Sequence, residues 1–198
     1  LLRPGLITDT QDTTGTVLEQ HSVELDDEKI EAALQAFRGD IMQIPPMYSA
    51  LKVNGQKLCD LARKGRTVER QPPPITIHTL GYLGMENGCL KLRVDCSKGT
   101  YIRTLCEDIG RALGCGGCME ALRRTKAGEY DISQAVPLQV LLDSENPEQY
   151  LRPVDSMFTA CPAVKLTPNQ EKRCRNGNAF SVAIADGTYR AYSQTGEF

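Results

Sequence analysis

Two basic side chains at the start of a predicted helix are the strongest chemical signal in the sequence. The segment VDCSKGTYIRTLCEDIG, residues 94–110, contains Lys98 and Arg103. The start of a helix is the positive end of its dipole, where a cation costs about 0.3–1 kcal/mol. A tolerated surface pair is the simple interpretation. The alternative is that an anion lies there, a carboxylate or a phosphate, and that an arginine held between carboxylates orients one of them.

Two candidate carboxylates lie in a loop near the start of the chain. In TDTQD, residues 8–12, Asp9 and Asp12 follow the first predicted strand. An Asx-type turn ahead of Gly15 would explain both residues without any chemistry. The loop could equally supply oxygens to a guanidinium.

A second group of cations lies between residues 52 and 70, where only Asp60 and Glu69 oppose it. Its members are Lys52, Lys57, Arg63, Lys64, Arg66 and Arg70. A solvated face is the usual reason for such a cluster. The predicted hairpin, short helix and loop that carry it would also suit contacts with nucleic-acid phosphates. The net charge of -2 argues against a uniformly basic surface but not against a local basic face.

The eight cysteines are scattered, which favours reduced thiols in a cytosolic protein. CGGC, Cys115 to Cys118, has the CxxC spacing of a redox or zinc site. A zinc site needs further ligands, and His21 and His78 are isolated. The motif also follows a predicted helix end, whereas a thioredoxin-like motif begins a helix. Its glycines therefore favour a helix C-cap, and a thiol or zinc protein is the weaker alternative.

Periodicity predicts the elements that must position these residues. Alternation in CLKLRVDC indicates a half-buried strand, and Thr100 to Leu113 reads as a helix that Thr100 caps. A helix is predicted over 26–37, with Asp26 or Asp27 as its cap. Residues 47–65 are predicted to form a strand, an Asn54-Gly55 turn and a short helix, and a further strand is predicted through Ile75 and Ile77. In the tail we predict a strand followed by a helix with a Thr167–Gln170 capping box. We therefore predict an α+β fold with a small β-rich module appended.

Length and composition set the domain organisation. A chain of 198 residues with 40% hydrophobic residues has room for one domain and a small second one. We place the boundary in a linker, which gives domains at 1–150 and 151–198. No apolar run approaches the ~18 residues of a membrane span, and no signal peptide is recognisable. The first methionine is Met42, so we expect a piece of a longer protein.

Several segments, in order and spacing, closely resemble one family. They are GLITDTQDTTG, IPPMYSALKVNGQKL with LARKGR, CSKGTYIRTLCEDIGRALGCG and LRRTKAGEY. The family is that of the bacterial tRNA pseudouridine synthase B (TruB), and the similarity runs from about Gly5 to Val136. The resemblance implies a mixed, largely antiparallel central sheet with flanking helices. It also implies that the tail begins a small PUA-like domain.

The resemblance further implies an isomerase that converts a uridine of the tRNA T arm (position 55) to pseudouridine. It would flip the nucleotide out of the loop and use an aspartate nucleophile, without metal or cofactor. Arg103 would pair with that nucleophile, Asp12 would be a second carboxylate beside the arginine, and Tyr101 would join their network. The residues expected to bind the T-arm stem-loop or its flipped base are Leu122, Arg124, Lys98, Tyr48, Lys52, Lys57, Arg63, Lys64 and Arg66. We expect a cytoplasmic monomer.

The sequence also departs from the family pattern. The family's G-x-L-D-P-x-A-x-G loop, which carries the nucleophile, and its K-x-Y segment do not occur in the 198 residues. Neither Asp9 nor Asp12 replaces the nucleophile, since both match a different segment. We therefore expect the parent protein to be the enzyme and this chain alone to be inactive. A non-catalytic RNA-binding module is the alternative.

Overall fold

An antiparallel sheet with helices against it forms the first of two units in the computed structural model, which describes residues 1–198. The units are Leu1–Arg124 and Thr125–Phe198. The elements of the first unit are, in chain order, β1 (Leu2–Pro4), β2 (Leu6–Thr8), β3 (Val17–Gln20), α1 (Asp27–Gln35), β4 (Gly39–Met42), β5 (Lys52–Val53), β6 (Gln56–Lys57), α2 (Leu58–Ala62), β7 (Pro74–Glu86), β8 (Cys89–Cys96), α3 (Ile102–Ala112) and β9 (Gly117–Met119).

The central sheet has five strands in the order β4-β7-β8-β1-β9, and every neighbouring pair is antiparallel. The short strand β1 lies between β8 and β9, with Leu2 opposite both Leu90 and Met119. Two hairpins, β2–β3 and β5–β6, stand outside this sheet. The predicted α+β class with a largely antiparallel sheet is confirmed.

Apolar side chains of the sheet and of two helices form one core. On β8 the alternation is as predicted, because Leu90 is buried and Leu92 and Val94 are half-buried while the residues between them are exposed. The buried members of the core are Leu2, Ile30, Leu34, Ile75, Ile77, Leu80, Leu90, Leu105, Cys106 and Ile109. Helices α1 and α3 therefore owe their position to burial of one apolar face each.

Local signals place α1 and the β5–β6 hairpin as predicted. The Asp26 carboxylate accepts a hydrogen bond from the Lys29 N–H and caps α1. Asn54 and Gly55 both have positive φ, 50° and 80°, which a tight two-residue hairpin turn requires. The structure adds β6, a second strand that the sequence analysis did not separate from α2.

The predicted cap of α3 is wrong. The helix begins at Ile102, and its N-cap is Tyr101, which makes no side-chain capping hydrogen bond. Thr100 instead belongs to the preceding turn, because its hydroxyl donates to the Ser97 carbonyl at 2.9 Å. Arg103 is consequently the second residue of the helix, deep in its positive first turn.

Helix α3 packs so closely on β9 that one position admits no side chain. A Cβ at Gly110 would lie 2.3 Å from the backbone nitrogen of Gly117. We expect Gly110→Ala to lower the free energy of unfolding by about 1–3 kcal/mol, as overpacking does, although alanine has the higher helix propensity by ~1 kcal/mol. Urea unfolding of the protein measures the change.

Gly81→Ala is the matched control, since a Cβ at Gly81 on β7 meets nothing within 4 Å. Its unfolding midpoint should stay at the wild-type value or rise slightly. Equal stability of the Gly110→Ala and wild-type proteins would show that the two backbones can separate without cost.

The second unit has short elements joined by irregular segments. They are β10 (Lys126–Ala127), β11 (Tyr130–Asp131), α4 (Leu138–Leu142), β12 (Ala163–Lys165), α5 (Pro168–Arg175) and β13 (Arg190–Tyr192). The predicted capping box is confirmed, because Thr167 and Gln170 each accept from the other's backbone N–H. Strands β12 and β13 pair in parallel. The PUA-like assignment of this tail stays a prediction.

Across both units, the structure has no helix with the length and apolar character that a bilayer crossing requires.

Candidate functional site

The guanidinium of Arg103 contacts three oxygens. Its Nη1 donates to Asp12 Oδ2 and to the Thr10 carbonyl, both at 3.2 Å, and its Nη2 donates to the Tyr48 carbonyl at 2.6 Å. The Arg103 side chain is 25% exposed and that of Asp12 is 16% exposed. The cation at the start of α3 is therefore matched by oxygens from two distant segments. Its functional role stays a prediction.

Threonines hold the other oxygen of Asp12. Oδ1 accepts from Thr10 Oγ1 at 2.8 Å, from Thr14 Oγ1 at 2.6 Å and from the Thr14 N–H at 3.1 Å. Burial by itself raises the pKa of Asp12, but these hydrogen bonds and the charge of Arg103 outweigh it, so the pKa lies below 3.8. Asp12 is therefore ionised at neutral pH. Its stabilising contribution is present above pH 3.8 and is lost as the pH falls through the lowered pKa.

The loop that carries Asp12 is attached to β9. Thr13 N–H donates to the Met119 carbonyl at 3.1 Å, and Met119 N–H donates to the Gln11 carbonyl at 2.9 Å. The bond from Thr14 N–H to Asp12 is the Asx-type turn that the sequence suggested. Asp9 makes no such turn, because its carboxylate accepts from Thr16 N–H, seven residues on, at 2.7 Å. Turn formation and the ion pair thus coexist, since they use different oxygens of Asp12.

Gln11, which is not among the predicted site residues, fixes the same loop to α3. Its side-chain oxygen accepts from Thr104 Oγ1 at 2.8 Å, and its Nε2 donates to Glu107. Gln11 lies in the loop after β2 and has a positive φ of 64°, a backbone conformation that is uncommon for residues other than glycine. The only sequence signal was the i, i+3 spacing of two polar residues on α3, and that pattern does not name a partner.

Gln43 is a second missed residue, and it lies at the N-terminus of α3. Its side-chain oxygen accepts from the Tyr101 N–H at 2.8 Å, and its Nε2 donates to the Tyr101 carbonyl at 3.1 Å. Tyr101 thus joins the site through its backbone, and its ring is half-buried. Tyr48 also contributes a backbone carbonyl to the Arg103 cluster, and its side chain is half-buried.

Three of the predicted substrate-binding residues do not join this cluster. Lys98 is exposed in the turn before α3 and forms no ion pair in the structure. Leu122 is 53% exposed, and Arg124 is exposed in the same segment after β9, which has no regular secondary structure. An apolar side chain so exposed is available for contact with a ligand.

The remaining predicted residues are all exposed, and we call this set the basic face: Lys52, Lys57, Arg63, Lys64 and Arg66. Lys52 and Lys57 lie directly opposite each other in the β5–β6 hairpin. Like charges in that arrangement destabilise a hairpin. Only Arg63 has an acidic partner, Asp60, at 3.6 Å. Arg70 turns inward instead and donates to the Pro45 carbonyl at 2.9 Å.

The CGGC segment follows the end of α3 at Ala112 and runs into β9, which begins at Gly117. Gly114, just before the motif, follows the C-cap residue Leu113 with a φ of 77°, and its N–H donates to the Arg111 carbonyl at 3.0 Å. Of the motif's own glycines, Gly116 has a φ of 72° and its N–H donates to the Gly110 carbonyl at 2.9 Å, whereas Gly117 belongs to β9. Cys115 and Cys118 are both buried, and burial raises the pKa of the Cys118 thiol to about 11. A thiol that is protonated at neutral pH is a poor nucleophile. The structure has no group of three or more metal-ligating side chains.

Two family models match the chain. The model of the TruB family pseudouridylate synthase (N terminal domain) matches residues 1–102, and that of the tRNA pseudouridylate synthase B C-terminal domain matches residues 103–159. Curated relatives named tRNA pseudouridine synthase B include a protein of Chromohalobacter salexigens, 44% identical over 93% of this chain and 61% of its own length. A relative from Aromatoleum aromaticum is 43% identical over 98% of this chain and 64% of its own length. One from Clostridium kluyveri is 40% identical over 100% of this chain and 70% of its own length. The chain spans about 61 to 70% of the length of these relatives.

Two solved structures resemble the chain in fold. One is titled as a crystal structure of a Cbf5-Nop10-Gar1 complex, with a TM-score of 0.56 and 26% identity over 74% of this chain and 43% of that chain. The other is titled as an H/ACA RNP bound to a substrate RNA containing 2'-deoxyuridine, with a TM-score of 0.60 and 21% identity over 89% of this chain and 54% of that chain. The second likeness shows a shared fold alone.

Proposed function

Because the chain belongs to the TruB family of pseudouridylate synthases, we propose that its parent protein is a tRNA pseudouridine synthase. The proposed substrate is the uridine of the tRNA T arm (position 55). The proposed reaction moves the uracil from an N1 to a C5 linkage on the same ribose, and it needs neither metal nor cofactor.

The observation that carries the proposal is the ion pair of Arg103 and Asp12 at the N-terminus of α3. Three donors occupy Oδ1 of Asp12, and this fixes the carboxylate that faces the arginine. A guanidinium has five N–H donors in a planar fork, so it can hold a second carboxylate in addition to Asp12. We propose that this second carboxylate is the nucleophilic aspartate of the family's G-x-L-D-P-x-A-x-G loop, which does not occur in the 198 residues.

The chemistry assigned to each group follows from the bonds that change. The target nucleotide leaves the RNA stack, and the aspartate carboxylate bonds to C1′ as the bond from C1′ to N1 breaks. The uracil then turns, and C5 bonds to C1′ as the bond from C1′ to the aspartate breaks and releases the carboxylate. The proton on C5 leaves and N1 gains a proton. Arg103 keeps the attacking carboxylate ionised and oriented, as a charge-assisted hydrogen bond does.

The exposed groups supply RNA contacts in this proposal. The basic face would bind phosphates of the T-arm stem, and Lys98 would add one more cation beside the start of α3. Leu122 would pack on the flipped uracil, with Arg124 next to the pocket. The exposure of each of these side chains supports such contacts.

The wider assignments are parts of the same proposal. Residues 1–150 would belong to the catalytic domain, and residues 151–198 would be a linker and the start of a PUA-like RNA-binding domain. The division of the structure after Arg124 separates compact units and does not by itself assign these domains. The protein would act as a cytoplasmic monomer.

The proposal is tested with T-arm stem-loop RNA that carries tritium on C5 of the target uridine. The parent protein should release one tritium per RNA, because C5 loses its proton when it bonds to the ribose. The 198-residue chain alone should release none, since the proposed nucleophile is not among its residues. Turnover by the short chain would contradict that part.

A parent protein that binds the RNA but releases no tritium would instead be a non-catalytic RNA-binding module. Replacement of the two CGGC thiols tests the thiol alternative in the same assay. Release by the parent protein should persist after Cys115 and Cys118 are replaced together by serine and alanine, respectively.

A further inference from the structure

We propose that Gln43 is a positioning residue for the start of α3, and this inference rests on the proposed function. Gln43 is 2% exposed, and both polar atoms of its side chain bond to the backbone of one residue, Tyr101. The side-chain amide of Gln43 thus pairs with the N–H and carbonyl of Tyr101 in the way that the backbone of a neighbouring β-strand would. Both bonds have ordinary lengths, 2.8 and 3.1 Å.

The helix needs this partner because it has no cap of its own. Tyr101 is the N-cap and makes no side-chain capping bond. Its carbonyl also accepts from Leu105 N–H at 3.0 Å, whereas Gln43 is the only partner of its N–H in the structure. The N–H of Tyr101 is partly buried, and leaving it without a partner would be costly, so Gln43 constrains the position of the first turn of α3.

Gln43 can fix that turn because the sheet fixes Gln43. The residue directly follows β4, and its own N–H donates to the Pro73 carbonyl at 3.2 Å, which extends the pairing of β4 with β7 by one residue. Two buried prolines, Pro45 and Pro46, come next and restrict the chain. The side chain therefore projects from a rigid strand end.

The same segment reaches α3 a second time. Five residues after Gln43, the Tyr48 carbonyl accepts from Arg103 Nη2 at 2.6 Å. One segment thus holds the helix backbone at Tyr101 and the guanidinium at Arg103. Gln43 forms no hydrogen bond with Asp12 or with the predicted base-binding residues, and it is 2% exposed, so it would act through the placement of Tyr101 and Arg103, and not through contact with the RNA.

Gln43→Met tests the proposal in the full-length parent protein, because methionine has a similar shape but no hydrogen-bonding amide. We expect the single-turnover rate of tritium release to fall about 10- to 100-fold, as small misplacements of reacting groups do. The Kd for the stem-loop RNA should change less than about threefold. Hydrogen exchange of the Tyr101 amide should become faster, and this NMR readout needs no activity.

Ile30→Val and Leu34→Ala serve as controls for lost stability, because both residues lie in the core on α1. We expect Ile30→Val to lower Tm less than Gln43→Met does, and Leu34→Ala to lower it more. They should keep the wild-type rate within about twofold. A Gln43→Met rate within twofold of wild type, or an equal rate loss in the controls, would overturn the proposal. If the methionine variant does not fold, Gln43→Asn decides by the same measures, since its amide is one methylene shorter and cannot reach both backbone atoms of Tyr101. An inactive wild-type parent protein would refute the proposed function, while Tyr101 exchange would still test Gln43.

Discussion

Arg103→Ala should lower the rate of uridine isomerisation by the parent protein about 100- to 1000-fold. Removal of one member of a largely buried, hydrogen-bonded charge pair costs about 2–5 kcal/mol, and each ~1.4 kcal/mol at the transition state is a factor of ten in rate. The loss should appear in the single-turnover rate, with the RNA affinity little changed. Asp12 should titrate closer to 3.8 in this variant, because Arg103 supplies part of what lowers its pKa.

Arg103→Lys separates charge from geometry. A lysine keeps the positive charge, but one ammonium cannot copy the two nitrogens that reach Asp12, Thr10 and Tyr48. The lysine variant should therefore be nearly as slow as the alanine variant. Arg93→Ala, on the exposed face of β8, is the control and should keep the wild-type rate. A lysine variant of full activity would show that charge alone is required.

Removal of the basic face should have the second large effect. The variant carries alanine at Lys52, Lys57, Lys64 and Arg66, none of which forms an ion pair in the structure. Each phosphate contact contributes about 0.7–0.9 to the slope of log K against log salt. We expect the slope to fall by about 3 and the Kd for T-arm RNA to rise about 100- to 1000-fold near 0.1 M salt. Fluorescence anisotropy over a salt series measures both.

A second variant removes the same number of charges from other surfaces of the unit. It carries alanine at Lys29, Lys91, Arg93 and Arg111, which are all exposed. Its net charge equals that of the first variant, so a general electrostatic effect would weaken binding equally in both. A much smaller change in the control locates the RNA contacts on the basic face. Equal slopes in the two variants would refute that location.

The sequence was sufficient to predict features that depend on near neighbours in the chain. Alternation gave β8, the Asn54-Gly55 pair gave a hairpin, and Asp26 gave the cap of α1. The predicted cap of α3 was wrong because Thr100 has two possible hydrogen-bonding roles. Its type suits the N-cap position of a helix, but its hydroxyl bonds to a carbonyl of the preceding turn instead. Local propensity cannot decide between two partners that are both within reach.

The residues of the candidate site also fall into two groups, those that the sequence predicts and those that only the fold reveals. A cation at the positive end of a helix is an anomaly that the sequence displays, and it led to Arg103. Gln11 and Gln43 display no anomaly, because a glutamine in a polar stretch looks solvated until the fold buries it. Their partners on α3 and at its N-cap are 93 and 58 positions away in the chain. Only the fold shows that these two amides attach the helix to the Asp12 loop and to β4.

The place of β1 in the sheet has a consequence for biosynthesis. Pro4 pairs with Gly117, and Leu2 pairs with Met119. Strand β1 is therefore synthesised long before its partner β9 and cannot form this pairing until β9 has been made. At ~5–20 residues per second, ribosomes leave Leu2 without that partner for roughly 6 to 25 s. Contacts this distant in the chain also slow folding after release. During translation the nascent polypeptide therefore carries β1 with the edge that later pairs with β9 still open.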